Sequence, residues 1–271
     1  MTEIKLKKLA SPIFLIGHAR AGTTALSASI NWAEGVGPNY PPIQKAKNLP
    51  EFVSSLKDYN THLEYSDLLE QKDIWFRYLP GKDVFTHMGR ELYADADSVS
   101  ESSKYSLVCE LTSTLGADRY FSKAPSNSFR IPFLMDISCD PRFVVVVRNG
   151  CDVVASWGKR PYGFNRRVNW GEIRSLRLSF RRGIKVFARK WNETIDAIKP
   201  YADDPRVLIV NYSDMLVNWT HVITRVYEHC GLAMEKELLS VNYENRPDKW
   251  RESIPTKHHR MLEELTEKGN E

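Results

Sequence analysis

Pro12-Ile13-Phe14-Leu15-Ile16-Gly17-His18-Ala19-Arg20-Ala21-Gly22-Thr23-Thr24 is the stretch whose reading decides the fold. An apolar run enters a turn bracketed by Gly17 and Gly22, and two threonines then open a segment that reads as helix from Thr24 to Ala33. Strand, glycine turn and helix start place several backbone N–H groups around one point, and the helix dipole adds positive potential there. Such a point suits a phosphate. Gly17, Gly22 and Thr24 fall in register with the phosphate-loop template G-x-x-x-x-G-K-[ST], but Thr23 stands where the lysine belongs and the cation is Arg20. Without that lysine a triphosphate loses its contact to the β/γ-phosphates. The loop therefore predicts a phosphate-ester site unlike that of an ordinary ATP or GTP hydrolase.

The rest of the chain repeats the strand-then-helix alternation. Phe143 to Val147 is a continuous, mostly β-branched run of the kind buried on both faces of a parallel sheet, and Val207 to Val210 is similar. Ser106 to Leu111 and Tyr120 to Lys123 read as two further short strands. Ile173 to Lys199 reads as one long helix, with Leu176, Phe180, Ile184, Phe187, Trp191 and Ile195 spaced by three or four. A second helix runs from Ser213 to Cys230 and stops at Gly231. Gly35 to Pro42, with two glycines and three prolines, is irregular, and Leu49 to Leu69 reads as one or two surface helices. No repeat or linker interrupts the 271 residues. The prediction is an α/β fold: a single domain, 1–271, with a central, mostly parallel sheet flanked by helices in a phosphate-loop, nucleoside-kinase-like topology.

Composition narrows the class. A hydrophobic content of 42% and a charged content of 27% are those of a soluble globular protein. The net charge of +4 is too slight to argue for nucleic-acid binding. Cys109, Cys139, Cys151 and Cys230 are widely spaced with no C-x-x-C pair, which predicts buried, reduced thiols and no zinc site. No run reaches the length of a membrane span, and Met1 to Leu9 has no apolar core of signal-peptide length. A cytoplasmic enzyme is expected.

Two more cations stand just past predicted strands, where ligands collect in parallel sheets. Arg148 follows the Phe143–Val147 run, with Ser156 eight residues on, in a helix that Asp152 is expected to start. An arginine fork with a hydroxyl cradles a phosphate; alternatively Arg148 pairs with Asp152 and braces the loop. Lys123, in Ser122-Lys123-Ala124-Pro125-Ser126-Asn127, is the third cation; alone it reads equally as a solvated surface lysine.

Together these three sites resemble the sulfotransferases that use 3′-phosphoadenosine 5′-phosphosulfate (PAPS). The family's [RK]-S-G-T-T loop corresponds to Arg20-Ala21-Gly22-Thr23-Thr24, and its R-[ND]-x-x-D-V-x-x-S element to Arg148-Asn149-Gly150-Cys151-Asp152-Val153-Val154-Ala155-Ser156. Asn211-Tyr212-Ser213-Asp214-Met215 is similar to its Y-E-D-[LM] stretch, and Pro247-Asp248-Lys249-Trp250-Arg251 to its C-terminal K-W-R segment. Ala21 and Ser213 depart from the usual serine and acid. The resemblance implies that residues from His18 and Ala19 through Thr24 hold the 5′-phosphosulfate, and that Arg148 and Ser156 hold the 3′-phosphate. It further implies that Tyr212 lies by the adenine and that Lys249, Trp250 and Arg251 close over the nucleotide. Arg20 and Lys123 would be the catalytic cations, acting without a metal in an in-line sulfuryl transfer to a hydroxyl or amine.

The proton acceptor is ambiguous, because Pro125 stands where relatives carry a K-T-H histidine. His87, Glu110, Glu34 and His18 are the candidates, with His87 and Glu110 favoured; His18 more naturally orders its turn, and Glu110, at a predicted strand end, is also a possible partner for Arg20 or Lys123. The acceptor is a small molecule or a carbohydrate. From Lys159 to Lys190 eleven Lys and Arg face a single acid, Glu172, which fits either an anionic acceptor or a solvated helix face. The aromatics Trp75, Phe76, Tyr78, Tyr162, Phe164 and Trp170 equally fit a hydrophobic acceptor. Trp75–Pro80 and Val84–Met88 also read as core or cap segments. A homodimer is left open. A nucleotide kinase, or an inactive nucleotide-binding module, is the rival reading, and Thr23 in the lysine position argues against the kinase.

Overall fold

The computed structural model of the chain describes residues 8–18, 20–37, 99–113, 117–158, 167–170, 173–177, 180–234 and 249–270. Strands β1 (Leu9–Ala10) and β2 (Ile13–Gly17) lead through the glycine turn into helix α1 (Thr23–Trp32) and strand β3 (Val36–Gly37). Helix α2 (Glu101–Ser113), strand β4 (Arg119–Lys123), a 3-10 turn over Pro125–Phe129 and helix α3 (Ile131–Asp136) follow. Next come β5 (Ser138–Cys139), β6 (Arg142–Val147) and α4 (Gly150–Gly158), then the hairpin of β7 (Arg167–Trp170) and β8 (Ile173–Arg177) before the long helix α5 (Phe180–Ile198). Strand β9 (Val207–Asn211) runs into α6 (Tyr212–Val217) and α7 (Trp219–Cys230), and α8 (Lys249–Ser253) and α9 (His259–Asn270) are the last described helices.

Five strands pair in the order β3-β4-β2-β6-β9, every pair parallel. The chain leaves β2 toward β4 and β3 on one side and toward β6 and β9 on the other. The switch point of the sheet therefore lies at the carboxyl end of β2, where the glycine turn begins. The alternation of strand side chains divides the core in two. Ile13, Leu15, Val144 and Val146 pack with Leu26 and Ile30 of α1 and Ile223 and Val226 of α7. Phe14, Ile16, Phe143 and Val145 pack on the other face with Leu107 and Leu111 of α2, Phe133 of α3 and Ile198 of α5. A third cluster, outside the sheet, joins Val154 and Ala155 of α4, Ile184 and Phe187 of α5, Trp250 of α8 and Leu262 of α9.

Several boundaries differ from the sequence reading, each for a local reason. Ser106–Leu111 is not a strand but the middle of α2: Lys104, Leu107, Val108 and Leu111 are its buried face, at helical spacing. Ser100 starts that helix, its Oγ accepting the Ser103 N–H at 3.2 Å. The helix expected from Ile173 begins at Phe180, because Ile173–Arg177 pairs with Arg167–Trp170 as an antiparallel hairpin. The helix expected from Ser213 to Cys230 is two: Asn218 leaves the helical region at φ −142°, and its side chain accepts the His221 N–H to cap α7. Helix α4 starts at Gly150 rather than at Asp152, which sits in its first turn. Of the cysteines, Cys151 and Cys230 are buried, while Cys109 is half-buried and Cys139 exposed. Burial pushes the Cys230 thiol up to about 12. The short strand Val36–Gly37 lies within the stretch read as irregular; Pro38–Pro42 and the segment from Leu49 to Leu69 lie outside the described residues. Among the described residues no helix is long and apolar enough to cross a membrane.

Candidate active site

The glycine turn is held by its neighbours. The Gly17 N–H donates to Ser128 Oγ at 3.2 Å, and the Ala21 N–H donates to the His18 carbonyl at 3.0 Å. The His18 side chain is buried, and its backbone carbonyl closes the turn. Arg20 takes a left-handed backbone conformation at φ 77°, which for a residue with a Cβ costs about 1–2 kcal/mol. Strain of this kind persists only where the surroundings over-determine it. Gly22 follows at φ 98° and ψ 15° as the N-cap of α1 and, as a glycine, makes no side-chain cap hydrogen bond. The first-turn N–H groups of α1, from the buried Thr23 on, face the turn as an uncapped helix start.

Four residues from three strand ends meet over this turn. Arg20 Nε donates to Ser156 Oγ at 3.1 Å, joining the loop to α4. Arg148 Nη1 donates to the Arg20 carbonyl at 3.3 Å. The Arg148 guanidinium lies 4.4 Å from the centroid of the Tyr212 ring, a cation–π distance. Tyr212 in turn covers Gly22 so closely that a Cβ there would stand 2.3 Å from the ring. Only a glycine fits beneath that ring. Gly17 is similarly confined, its Cβ position lying 2.4 Å from the Val146 carbonyl oxygen.

The bracing reading of Arg148 has a counterpart in the structure. Its Nε is 3.8 Å from Asp152 Oδ2, an ion pair that braces the turn. Yet that same Nε is buried and makes no hydrogen bond, so the fork keeps donor capacity that an anion would satisfy. Lys123 ends β4 beside β2, in register with Leu15, and is only 6% exposed. A solvated surface lysine would not be. It stands on the same carboxyl edge as the glycine turn. The carboxyl edge thus gathers Arg20, Lys123 and Arg148 with the Ser156 hydroxyl, a cationic surface whose chemistry suits anionic groups.

Other predicted residues are placed elsewhere. Glu110 is in α2 rather than at a strand end, which removes the strand-end reason for it. Glu34 is exposed after α1. Trp250 is buried in the α4–α5–α9 cluster, and Arg251 lies 4.4 Å over its ring while pairing with Glu263 of α9 at 2.7 Å. The K-W-R segment is thus tied to the terminal helix through both side chains. His87, Ala19 and most of the aromatic acceptor stretches lie outside the described residues, as do the side chains of Thr24, Trp170 and Lys249. Among the described residues no group of three or more His, Cys, Asp or Glu is arranged to hold a metal ion.

Sequence reading missed Ser128. Its hydroxyl takes the first N–H of the turn from 111 residues away. A polar run held by a 3-10 turn straight after a strand, Ser126-Asn127-Ser128, is the signal that marks it; Asn127 and Ser128 are both buried.

The profile of the sulfotransferase family matches residues 12–236. Among solved structures, sulfotransferase STF9 from Mycobacterium avium is similar at 16% identity and a TM-score of 0.57, over 96% of this chain and 76% of that one. The sulfotransferase domain of the Synechococcus PCC 7002 olefin synthase is similar at 13% identity and a TM-score of 0.53, over 98% of this chain and 97% of that one. Mouse sulfotransferase SULT7A1, solved in complex with PAP, is similar at 13% identity and a TM-score of 0.50, over 94% and 82%. No curated protein matches the chain in sequence. The similar solved structures share the architecture of the central sheet, and the family match runs from the glycine turn through α7: the chain belongs to the sulfotransferase family.

Proposed function

We propose that the chain, as one domain, moves the sulfuryl group of PAPS to a hydroxyl or amine of a small-molecule or carbohydrate acceptor, releasing adenosine 3′,5′-bisphosphate (PAP). The observation that carries this reading is that Arg20, in the lysine-less glycine turn, is bonded both to Ser156 at 3.1 Å and to Arg148 at 3.3 Å, which joins two cations and a hydroxyl into a surface that supports one anion seat at the turn and a second at Arg148 and Ser156. A donor with a phosphate at each end of its ribose needs both seats; a nucleoside triphosphate does not. The PAP in the mouse relative supports the same assignment.

The donor brings an activated S–O bond to its own phosphate. The chain's part is to hold charge. The first-turn N–H groups of α1 and Arg20 grip the 5′ end, while Arg148 and Ser156 grip the 3′-phosphate. Lys123, in a site largely closed to water, stabilises the charge that grows on the departing phosphate oxygen, where preorganised donors act most strongly. The new bond forms between sulfur and the acceptor oxygen or nitrogen, whose proton passes to a base. His87 is the residue the reading keeps for that role, with Glu110 second now that it lies in a helix.

The test is transfer of labelled sulfate from PAPS to a broad acceptor panel of phenols, alcohols, amines and glycans, in the presence of a chelator. Labelled product from at least one acceptor, lost in Lys123→Ala, is expected. A protein that binds PAP tightly yet labels nothing is an inactive nucleotide-binding module, and that result overturns the enzyme reading.

A further inference from the structure

Between β6 and α4 the backbone of Arg148 belongs to neither ladder. The last pairing of β6 is Val147 with Asn211, and the Val153 N–H already reaches the Asn149 carbonyl. Asn149 Oδ1 takes the Cys151 N–H at 2.9 Å. The Arg148 carbonyl is left to a side chain from another helix: Trp191 Nε1, on α5, donates to it at 3.2 Å. An indole has one proton to give and no acceptor, and Trp191 is 1% exposed, so water does not compete for that proton.

The same indole confines Gly150, two residues on. A Cβ at Gly150 would lie 2.8 Å from Trp191 Cε3 and 2.7 Å from Thr266 Cβ, so the junction is gripped between α5 and α9. Thr266 Oγ1 also stands 3.3 Å from Cys151 Sγ. The Arg148 side chain is held by one hydrogen bond to the loop, the Tyr212 stack and the 3.8 Å ion pair with Asp152, and its Nε makes no hydrogen bond. Its aim depends as well on how its own peptide is held.

We propose that Trp191 is a positioning residue for the 3′-phosphate seat: it fixes the Arg148 carbonyl, and through it the aim of the guanidinium fork. This rests on the reading that Arg148 grips the 3′-phosphate. It goes beyond the place of Trp191 in the buried stripe of α5, which any apolar ring of similar size would fill.

Trp191→Phe separates the two roles, because it keeps a ring in the stripe and removes the N–H. Calorimetry with PAP and with adenosine 5′-phosphate is the measurement. Affinity for PAP is expected to fall about 2- to 12-fold, the value of one net hydrogen bond, with adenosine 5′-phosphate unchanged. In an Arg148→Ala background Trp191→Phe should alter neither ligand. Equal weakening of both ligands, or no change in either, overturns the proposal while leaving the Arg148 seat intact. If Arg148→Ala itself leaves the preference for PAP as it was, the seat is wrong and the proposal falls with it. Should Trp191→Phe not fold, the indole ¹H–¹⁵N resonance of Trp191 in the native protein decides. It should shift on adding PAP and stay in place with adenosine 5′-phosphate, and an identical response to both overturns the proposal.

Discussion

Arg148→Ala lowers affinity for PAP by about tenfold to a hundredfold and leaves adenosine 5′-phosphate nearly unchanged. A hydrogen bond to a charged group contributes about 1.5–3 kcal/mol, and the fork has spare donors to give one. The loss should be confined to the 3′-phosphate, since in the proposed binding mode the helix start and Arg20 serve the other end. Arg148 also supports the Arg20 carbonyl and stacks on Tyr212, so Arg148→Lys is the informative companion. It keeps the charge but not the planar fork, and an intermediate loss is expected. If both variants weaken the two nucleotides alike, Arg148 is a brace for the turn with Asp152 and nothing more.

Gly22→Ala is expected to cut PAP binding and sulfuryl transfer by about a hundredfold or more. The new methyl would meet Tyr212 Cδ2 and Cε2 at 2.3 Å, so either the ring or the turn must move. The φ of 98° adds strain of about 1–3 kcal/mol that no rearrangement of the ring removes. Displacing Tyr212 also withdraws the face on which Arg148 rests, so one methyl disturbs both seats. Pairing the change with Tyr212→Ala should recover part of the lost thermal stability, since the clash goes and the strain stays. Normal PAP binding by Gly22→Ala alone would mean that the turn and the ring are not locked together as described.

How much of this was legible in the sequence varies by element. The glycine turn, β6 and β9 were, because β6 and β9 carry short, mostly β-branched apolar runs of the kind buried in a parallel sheet; β4, with only Tyr120 and Phe121 apolar, was read from its place before the Lys123-Ala124-Pro125 turn. Ser106–Leu111 was misread because a short apolar run fits strand and helix alike. Ser100 as an N-cap was the arbitrating signal. Asn218 hid in the same way, a capping residue inside an otherwise helical pattern.

At the site, Arg20, Arg148 and Ser156 were legible as a motif, and the structure brings those three together with Tyr212. What binds them to one another was not. Ser128 under Gly17 and Trp191 under Arg148 act across 111 and 43 residues, and such separations leave no local pattern. The burial of Trp250 was hidden for a related reason. Its ring packs with side chains from α4, α5 and α9, three segments that only the folded chain makes adjacent.

A glycine turn without its lysine, joined to Arg148, is proposed to select a nucleotide phosphorylated at both ends of its ribose. Calorimetric titration of the native protein with PAP in the presence of a chelator, beside ATP with Mg²⁺, tests it most directly. Tight, metal-independent binding of PAP and weak binding of ATP–Mg²⁺ are expected. Preference for ATP–Mg²⁺ would contradict it.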